Sequence, residues 1–375
     1  MKWLPLVSVG IWDFPVSGCV VEPVELIAED DETDATKGNA AMTKLAEVNK
    51  VAGVVGSFAS SVSQSAVDVA VRNKVMLVSP GSTSPAFTER AKKGDFKVKK
   101  DDAFGYWART APSDAYQAPA LAQLAINKGL KRVSTVVINN DYGVGFEKEF
   151  VTAFKKLGGT IVNEKPIRYD PKAATLNSEA EAAFKGKPDG VAAVLYAETG
   201  SLLLKAAYEG GLMKGSQVLL TDGMKSDDLA KQVGKTKDGK FIVEGISGTI
   251  PGANGKALEA LNKLWQSKKN SAPPSYVPQS WDATALLVLA AQAAKANTGE
   301  GIAANIRAVA SGPGEEVSDV CKGLELLKAG KKINYQGASG NVDIDENGDV
   351  LGVYDVWQVQ PDGKTKTVGT VVPPK

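Results

Sequence analysis

From Val24 onward the chain alternates short β-branched and aliphatic runs with helical patterns, and that alternation permits little besides βαβ units wound around parallel sheets. Strand-type runs fall at residues 24–28, 51–56, 75–79, 133–138, 160–162, 191–196 and 217–220. Helical patterns occupy 36–49, 61–72, 115–128, 145–157, 201–210, 258–268, 281–296, 302–310 and 317–328. Lys128-Gly129 and Leu157-Gly158-Gly159 place glycine where a helix end needs a left-handed residue. A chain of 375 residues, at ~150 residues per domain, makes two or three domains or two lobes of one protein.

The punctuation suggests where those lobes divide. Arg109-Thr-Ala-Pro-Ser-Asp114 reads as a strand exit followed by a helix N-cap, and residues 247–254, with Pro251 and two glycines, form a second boundary. The expected division is therefore 1–113 with 251–351 for one lobe and 114–250 with 352–375 for the other. The last forty residues read as a hairpin, with strands at 340–344 and 350–359 around Asp345-Glu-Asn-Gly348, and a further turn at Pro361-Asp362-Gly363.

Composition removes several classes of function. Forty-four Lys plus Arg against 43 Asp plus Glu leave a net charge of +1, so no global field favours a nucleic-acid partner. The absence of histidine removes the commonest general base and metal ligand. Two cysteines, Cys19 and Cys321, exclude CxxC zinc sites and permit at most one intramolecular disulfide. No apolar run reaches the ~18 residues that span a bilayer. The start carries Lys2, an apolar stretch at 4–11 and Val16-Ser17-Gly18-Cys19, which looks like a bacterial lipobox and makes Cys19 a lipidation candidate. Asp13 and Pro15 interrupt that apolar region, and the alternative is a buried strand with a chance cysteine.

Most short motifs here have plain structural readings. Asp343, Asp345, Asn347 and Gly348 follow the first half of a calcium loop, but Tyr354 stands where its closing Glu belongs, which favours a simple turn and no metal. Gly234-Lys235-Thr236 lacks the earlier glycine of a phosphate loop, and Gly143-Val144-Gly145 lacks the third glycine of a dinucleotide fingerprint, so no cofactor is expected. The acidic run 29–34 reads as a solvated helix entry. Gly56-Ser-Phe-Ala-Ser-Ser61 and Ser79-Pro-Gly-Ser-Thr-Ser84 differ from these, since each follows a strand and opens a helix. Their free N–H groups and hydroxyls suit a carboxylate, with N-capping by Ser60 and Thr83 as the alternative.

At these two loops the sequence resembles the periplasmic branched-chain amino-acid-binding proteins, the type I solute-binding components of ABC transporters. The likeness runs from about Val24 to Gly363 through VELIAEDDETD, VVGSFASSVSQSAVDVA, LVSPGSTSPAFTE, RTAPSDAYQAPALAQ, VINNDYGVGFEKEF, LYAETGSLLLKAAYEGGL, LLTDG, SWDATALLVLAAQAA and NYQGASGNVDIDENGD. The resemblance implies an α/β fold of the type I periplasmic binding protein class, two doubly wound parallel-sheet lobes joined by three hinge crossings and closing on an amino acid in the cleft. It also implies that Ser60, the Gly81 backbone and Thr83, with Ser82 beside them, bind the ligand carboxylate and part of the ammonium group. Tyr142 and Tyr196 would close over the ligand, and Asp222 stands where the family pairs an acid with the α-ammonium. Family members carry a strand, a ligand-touching loop and a long helix before the segment matching Val24. Only 23 residues precede Val24 here, so the first βα unit of lobe 1 is expected to be truncated or altered.

The function these features imply is a monomeric, non-catalytic, extracytoplasmic protein, lipid-anchored if Cys19 is modified, that captures a small neutral or aliphatic amino acid for an ABC transporter permease. A ligand-sensing regulatory or receptor domain of the same fold is the alternative. A hydrolase or transferase using Ser60 or Ser82 would need a base, and none is visible.

Overall fold

A computed structural model describes residues 24–163 and 165–374. The chain builds two compact units, one from the segment ending at Ser113 with Ala253–Gly352, the other from Asp114–Gly252 with Val353–Lys375. It crosses from one unit to the other three times. The apolar stretch at 4–11 and Cys19, the lipidation candidate, lie outside the described residues.

In chain order, the first unit opens with α1 (Ala35–Thr43), β1 (Gly53–Val55), α2 (Ser60–Asn73), β2 (Met76–Ser79), α3 (Ala86–Lys92) and β3 (Trp107–Arg109). The second unit follows with α4 (Asp114–Asn127), β4 (Arg132–Ile138), α5 (Asp141–Lys156), β5 (Thr160–Ile161), β6 (Ile167–Tyr169) and α6 (Asn177–Phe184). It continues through β7 (Gly190–Val194), α7 (Ala197–Glu209), β8 (Gln217–Leu220), α8 (Leu229–Val233) and β9 (Ser247–Pro251). The first unit resumes with α9 (Leu258–Lys269), α10 (Val277–Ala294), α11 (Gly299–Ser311), β10 (Glu315–Val317), α12 (Val320–Lys328) and β11 (Ile333–Tyr335), and β12 (Tyr354–Val359) and β13 (Thr365–Val371) close the second.

The first unit is built on a parallel sheet in the order β1-β2-β3, with β10 and β11 forming a separate parallel pair. Side chains on a strand alternate between faces, and here both faces are covered. Met76, Val78 and Ala108 enter a core with Leu286, Leu289 and Ile306 of α10 and α11. Leu77 and Trp107 enter the opposite core with Val67 and Phe87, where Trp107 stacks on Phe87 at 4.2 Å. At ~1.5–3 kcal/mol for each fully buried large apolar side chain, these two layers hold the sheet.

Asp282 of α10 is buried beside the Tyr335–Ser339 turn. Its carboxylate accepts from the Ala338 and Ser339 N–H groups, both at 2.7 Å, from the Tyr335 hydroxyl at 3.1 Å and from the Ser339 hydroxyl. Burial pushes its pKa up to about 6 while those hydrogen bonds pull the other way. Residue 337 must be glycine, because a Cβ there would sit 2.4 Å from the Asp282 carboxylate.

The second unit is one mixed sheet in the order β13-β12-β9-β8-β7-β4-β5, with β6 also on β4. Strands β4, β7, β8 and β9 run parallel and are buried almost throughout; β7 and Val218–Leu220 of β8 are unbroken apolar, as burial on both faces favours, while β4 and β9 also bury Ser134, Thr135, Ser247 and Thr249. The antiparallel hairpin β12-β13 pairs with β9 at one end.

Several expectations are corrected. Residues 24–28 form no strand: none of their backbone groups joins a ladder among the described residues. The hairpin lies later than the alternation suggested, between β12 and β13 around Pro361-Asp362-Gly363. Residues 340–353 are irregular instead, because the Asp345 carboxylate accepts from the Asn347 and Asp349 N–H groups at 2.8 and 2.9 Å and folds the segment on itself. The helix read at 36–49 changes to π geometry over Lys44–Val48. The helix read at 317–328 starts at Val320, where the Asp319 carboxylate caps it by accepting from the Lys322 N–H.

Candidate functional site

In the first unit the three parallel strands bring their carboxyl ends together, so the loops after β1 and β2 and the last residue of β3 become neighbours. This is where doubly wound folds place ligands. Helix α2 begins at Ser60 with no side-chain cap on its first turn, leaving N-terminal N–H groups and the positive end of the helix dipole uncapped.

The two loops are knitted by hydroxyls. The Ser57 carbonyl accepts from Ser63 at 3.1 Å and from Ser79 at 2.6 Å. The Ser79 hydroxyl accepts in turn from the Gly81 and Ser82 N–H groups at 3.3 and 2.9 Å. Ser82, fully buried, places its hydroxyl 2.8 Å from that of Ser63 and 3.1 Å from the Phe58 carbonyl. Ser60 accepts from the Ser84 N–H at 3.2 Å. Ser60, Gly81, Ser82 and Thr83 thus share one locus. Within it the Ser82 side chain serves the loop itself, while Gly81 makes room for Phe58, whose ring would lie 2.5 Å from a Cβ at that position.

Arg109, the last residue of β3, was missed by the sequence reading as a functional group. It is completely buried and donates to the carbonyls of Ser82 and Ser84 at 3.0 and 2.9 Å. Asp349 neutralises it at 2.7 Å.

In the second unit Tyr142, Tyr196 and Asp222 follow β4, β7 and β8, which are adjacent in the sheet. Residues up to 80 positions apart therefore meet at one sheet end. The two tyrosine rings stack with centroids 5.6 Å apart and planes within 4°. The Tyr142 hydroxyl donates to Thr221 at 2.7 Å and reaches Asp222 Oδ1 at 3.1 Å. Asp222 Oδ1 also accepts from Gln117 Nε2 at 2.7 Å.

Burial raises both tyrosine pKa values well above the ordinary range, and the negative charges of Asp222 and Asp114 raise them further. A hydrogen bond with Asn140 opposes this at Tyr196. The locus is aromatic, acidic and set to favour a cation. Tyr169, pushed up to about 12 by burial, accepts from the Tyr196 N–H at 3.3 Å and fixes the start of α7. Gln117 and Tyr169 were likewise missed by the sequence reading. Both lie on elements whose relation to Asp222 and Tyr196 appears only once the sheet is assembled.

A cavity of about 970 Å³ also lies in the first unit, along β1, lined by Leu26, Leu45, Val54, Trp265, Leu287 and Val288 among others. It is mainly apolar and contains none of Ser60, Gly81, Ser82 or Thr83. The loops after the strands, with their directed donors, remain the candidate site.

Two α/β units carrying such loops at their sheet ends define a ligand-binding protein of the type I periplasmic binding fold. The profile of the receptor family ligand binding region matches residues 22–362, and the chain belongs to that family. Among solved structures, the leucine-binding protein LivK of Thermotoga maritima aligns with a TM-score of 0.76 and 24% identity, over 94% of this chain and 89% of that one. A solute-binding protein of an R. palustris ABC transporter, in complex with benzoate, aligns with a TM-score of 0.73 and 17% identity, over 96% and 89%.

The chain is also similar to the chemotactic signal transduction system substrate-binding protein BasB of Halobacterium salinarum, 23% identical over 85% of this chain and 72% of that protein. Human metabotropic glutamate receptor 8 is 21% identical over 91% of this chain, which spans 40% of the receptor's length. Among the described residues no helix is long and apolar enough to cross a membrane.

Proposed function

We propose that the protein is an extracytoplasmic solute-binding protein that captures a free α-amino acid, neutral or aliphatic in side chain, and delivers it to an ABC transporter permease. It acts as a monomer and performs no chemistry on its ligand. The observation that carries this reading is Asp222, held by Gln117 and Tyr142 beside a stacked tyrosine pair. That arrangement suits an ammonium group. The loops around Ser60 and Thr83 in the other unit, at the uncapped start of α2, suit a carboxylate. A buried zwitterion needs both partners, since either charge left unpaired in a site excluded from water is costly.

Leucine is the natural first probe because of the likeness to a leucine-binding protein. A thermal melt of the purified chain with each common amino acid at millimolar concentration tests the reading. Ligand at 100 times its Kd adds about 2.7 kcal/mol of stability, enough to raise the midpoint by degrees. A shift confined to a few neutral amino acids supports the proposal, and a cooperative melt that none of them moves counts against it. The likeness to BasB favours a second reading, in which the loaded protein is presented to a signalling partner. Deleting the gene separates the two, because transport predicts lost uptake and sensing predicts lost response with uptake intact.

A further inference from the structure

We propose that Arg109 is a positioning residue for ligand binding, aiming the Thr83 N–H at the ligand carboxylate; this rests on the amino-acid reading above. In a trans peptide the carbonyl and the following N–H point in opposite directions. Arg109 Nη1 holds the Ser82 carbonyl at 3.0 Å, so the Thr83 N–H of the same peptide plane must point away from the guanidinium. The Ser84 carbonyl, held at 2.9 Å by the same nitrogen, fixes the next turn of the loop, and the residue after it is Pro85, which has no N–H to direct. A carbonyl bonded to a cation also makes its own N–H a better donor, because hydrogen bonds in a chain polarise one another.

The guanidinium is itself held on its other sides. Its Nε donates to Asp349 Oδ1 at 2.7 Å and its Nη2 to the Thr88 hydroxyl at 3.0 Å, while Thr88 donates to Asp349 Oδ2 at 2.6 Å. Asp349 belongs to the turn that Asp345 organises, and the Gly348 carbonyl of that turn accepts from the Arg109 N–H at 2.9 Å. The DENGD turn, 240 residues away in sequence, thereby locks the fork that sets the loop. Lysine could keep the charge but not the planar fork that reaches two carbonyls and a carboxylate together.

The test uses Arg109→Lys, with L-leucine titrated by calorimetry and hydrogen exchange followed over residues 82–86, with and without leucine. The expected result is a variant that melts cooperatively, binds leucine about tenfold or more weakly, and has lost the leucine-dependent protection of that segment. Leucine affinity within twofold of wild type, or weaker binding with that protection intact, overturns the proposal. If Arg109→Lys lacks a cooperative melt, Thr88→Val is read in the same way. It removes only the hydroxyl linking Nη2 to Asp349, so unchanged affinity and protection in that variant also overturn the inference. A wild-type protein that binds none of the common amino acids overturns the reading beneath, and is distinguished by needing no variant.

Discussion

Replacing Asp222 by asparagine keeps the shape of the second-unit locus and removes its charge. The amide oxygen can still accept from Gln117 and Tyr142, which now lie 2.7 and 3.1 Å from Oδ1. Each of these bonds weakens from charge-assisted to neutral, but the half-buried carboxylate no longer has to be desolvated, so stability is expected to move by no more than about 1 kcal/mol. Binding should respond far more. A bound α-ammonium would lose its anionic partner while remaining out of water, a loss of about 3 kcal/mol or more, which is roughly a hundredfold in Kd. Calorimetric titration of L-leucine into wild type and Asp222→Asn, beside melts of both unliganded proteins, separates the effects. An equal Kd in the two proteins would show that Asp222 does not pair with the ligand amine.

Other substitutions probe neighbouring parts of the account. Tyr142→Phe removes the hydroxyl that bridges Thr221 and Asp222, and is expected to weaken leucine binding about fivefold while the variant still folds, since one net hydrogen bond is worth ~1 kcal/mol; titration calorimetry reads it. Gly81→Val drives a side chain into the Phe58 ring and should cost ~1–3 kcal/mol in a denaturant melt. Asp282 tests pH dependence. Its pKa is raised to about 6 in the folded protein from 3.8, so its contribution to stability is fully present below 3.8 and is lost as pH rises through 6, by the order of 3 kcal/mol in all. Wild type therefore loses stability relative to Asp282→Asn between pH 4 and 7, and a difference that is constant across that range would refute the assignment.

The parallel strands were legible because buried βαβ strands are written as short runs rich in aliphatic and β-branched residues: β2, β4, β7 and β8 fall on such runs beginning near Val75, Val133, Val191 and Val218. Short edge elements were not. Residues 24–28 have the right composition for a strand, but composition does not supply a ladder partner. β12 and β13 read one turn too early because Asp345-Glu-Asn-Gly348 and Pro361-Asp362-Gly363 are equally good turns locally, and only pairing with β9 selects the second.

Among site residues, Ser60 and Thr83 stood out through strand-loop-helix punctuation. Asp222, Tyr142 and Tyr196 could be named only through a family resemblance, since an acid or a tyrosine at a strand end is locally unremarkable in composition. Arg109 and Gln117 sat inside recognised motifs without a role, because their partners, Asp349 and Asp222, are 240 and 105 residues away.

The central claim is that one ligand presents a carboxylate and an ammonium group together. Titration of the wild-type protein with L-leucine, with leucinamide and with 4-methylpentanoate, the deaminated analogue, addresses it most directly. The account expects leucine to bind and each analogue to bind at least a hundredfold more weakly, each having lost one charge whose partner stays behind in the site, a penalty of about 3 kcal/mol. If 4-methylpentanoate bound as tightly as leucine, the protein would be a carboxylate binder, and Asp222 would have no ammonium to hold.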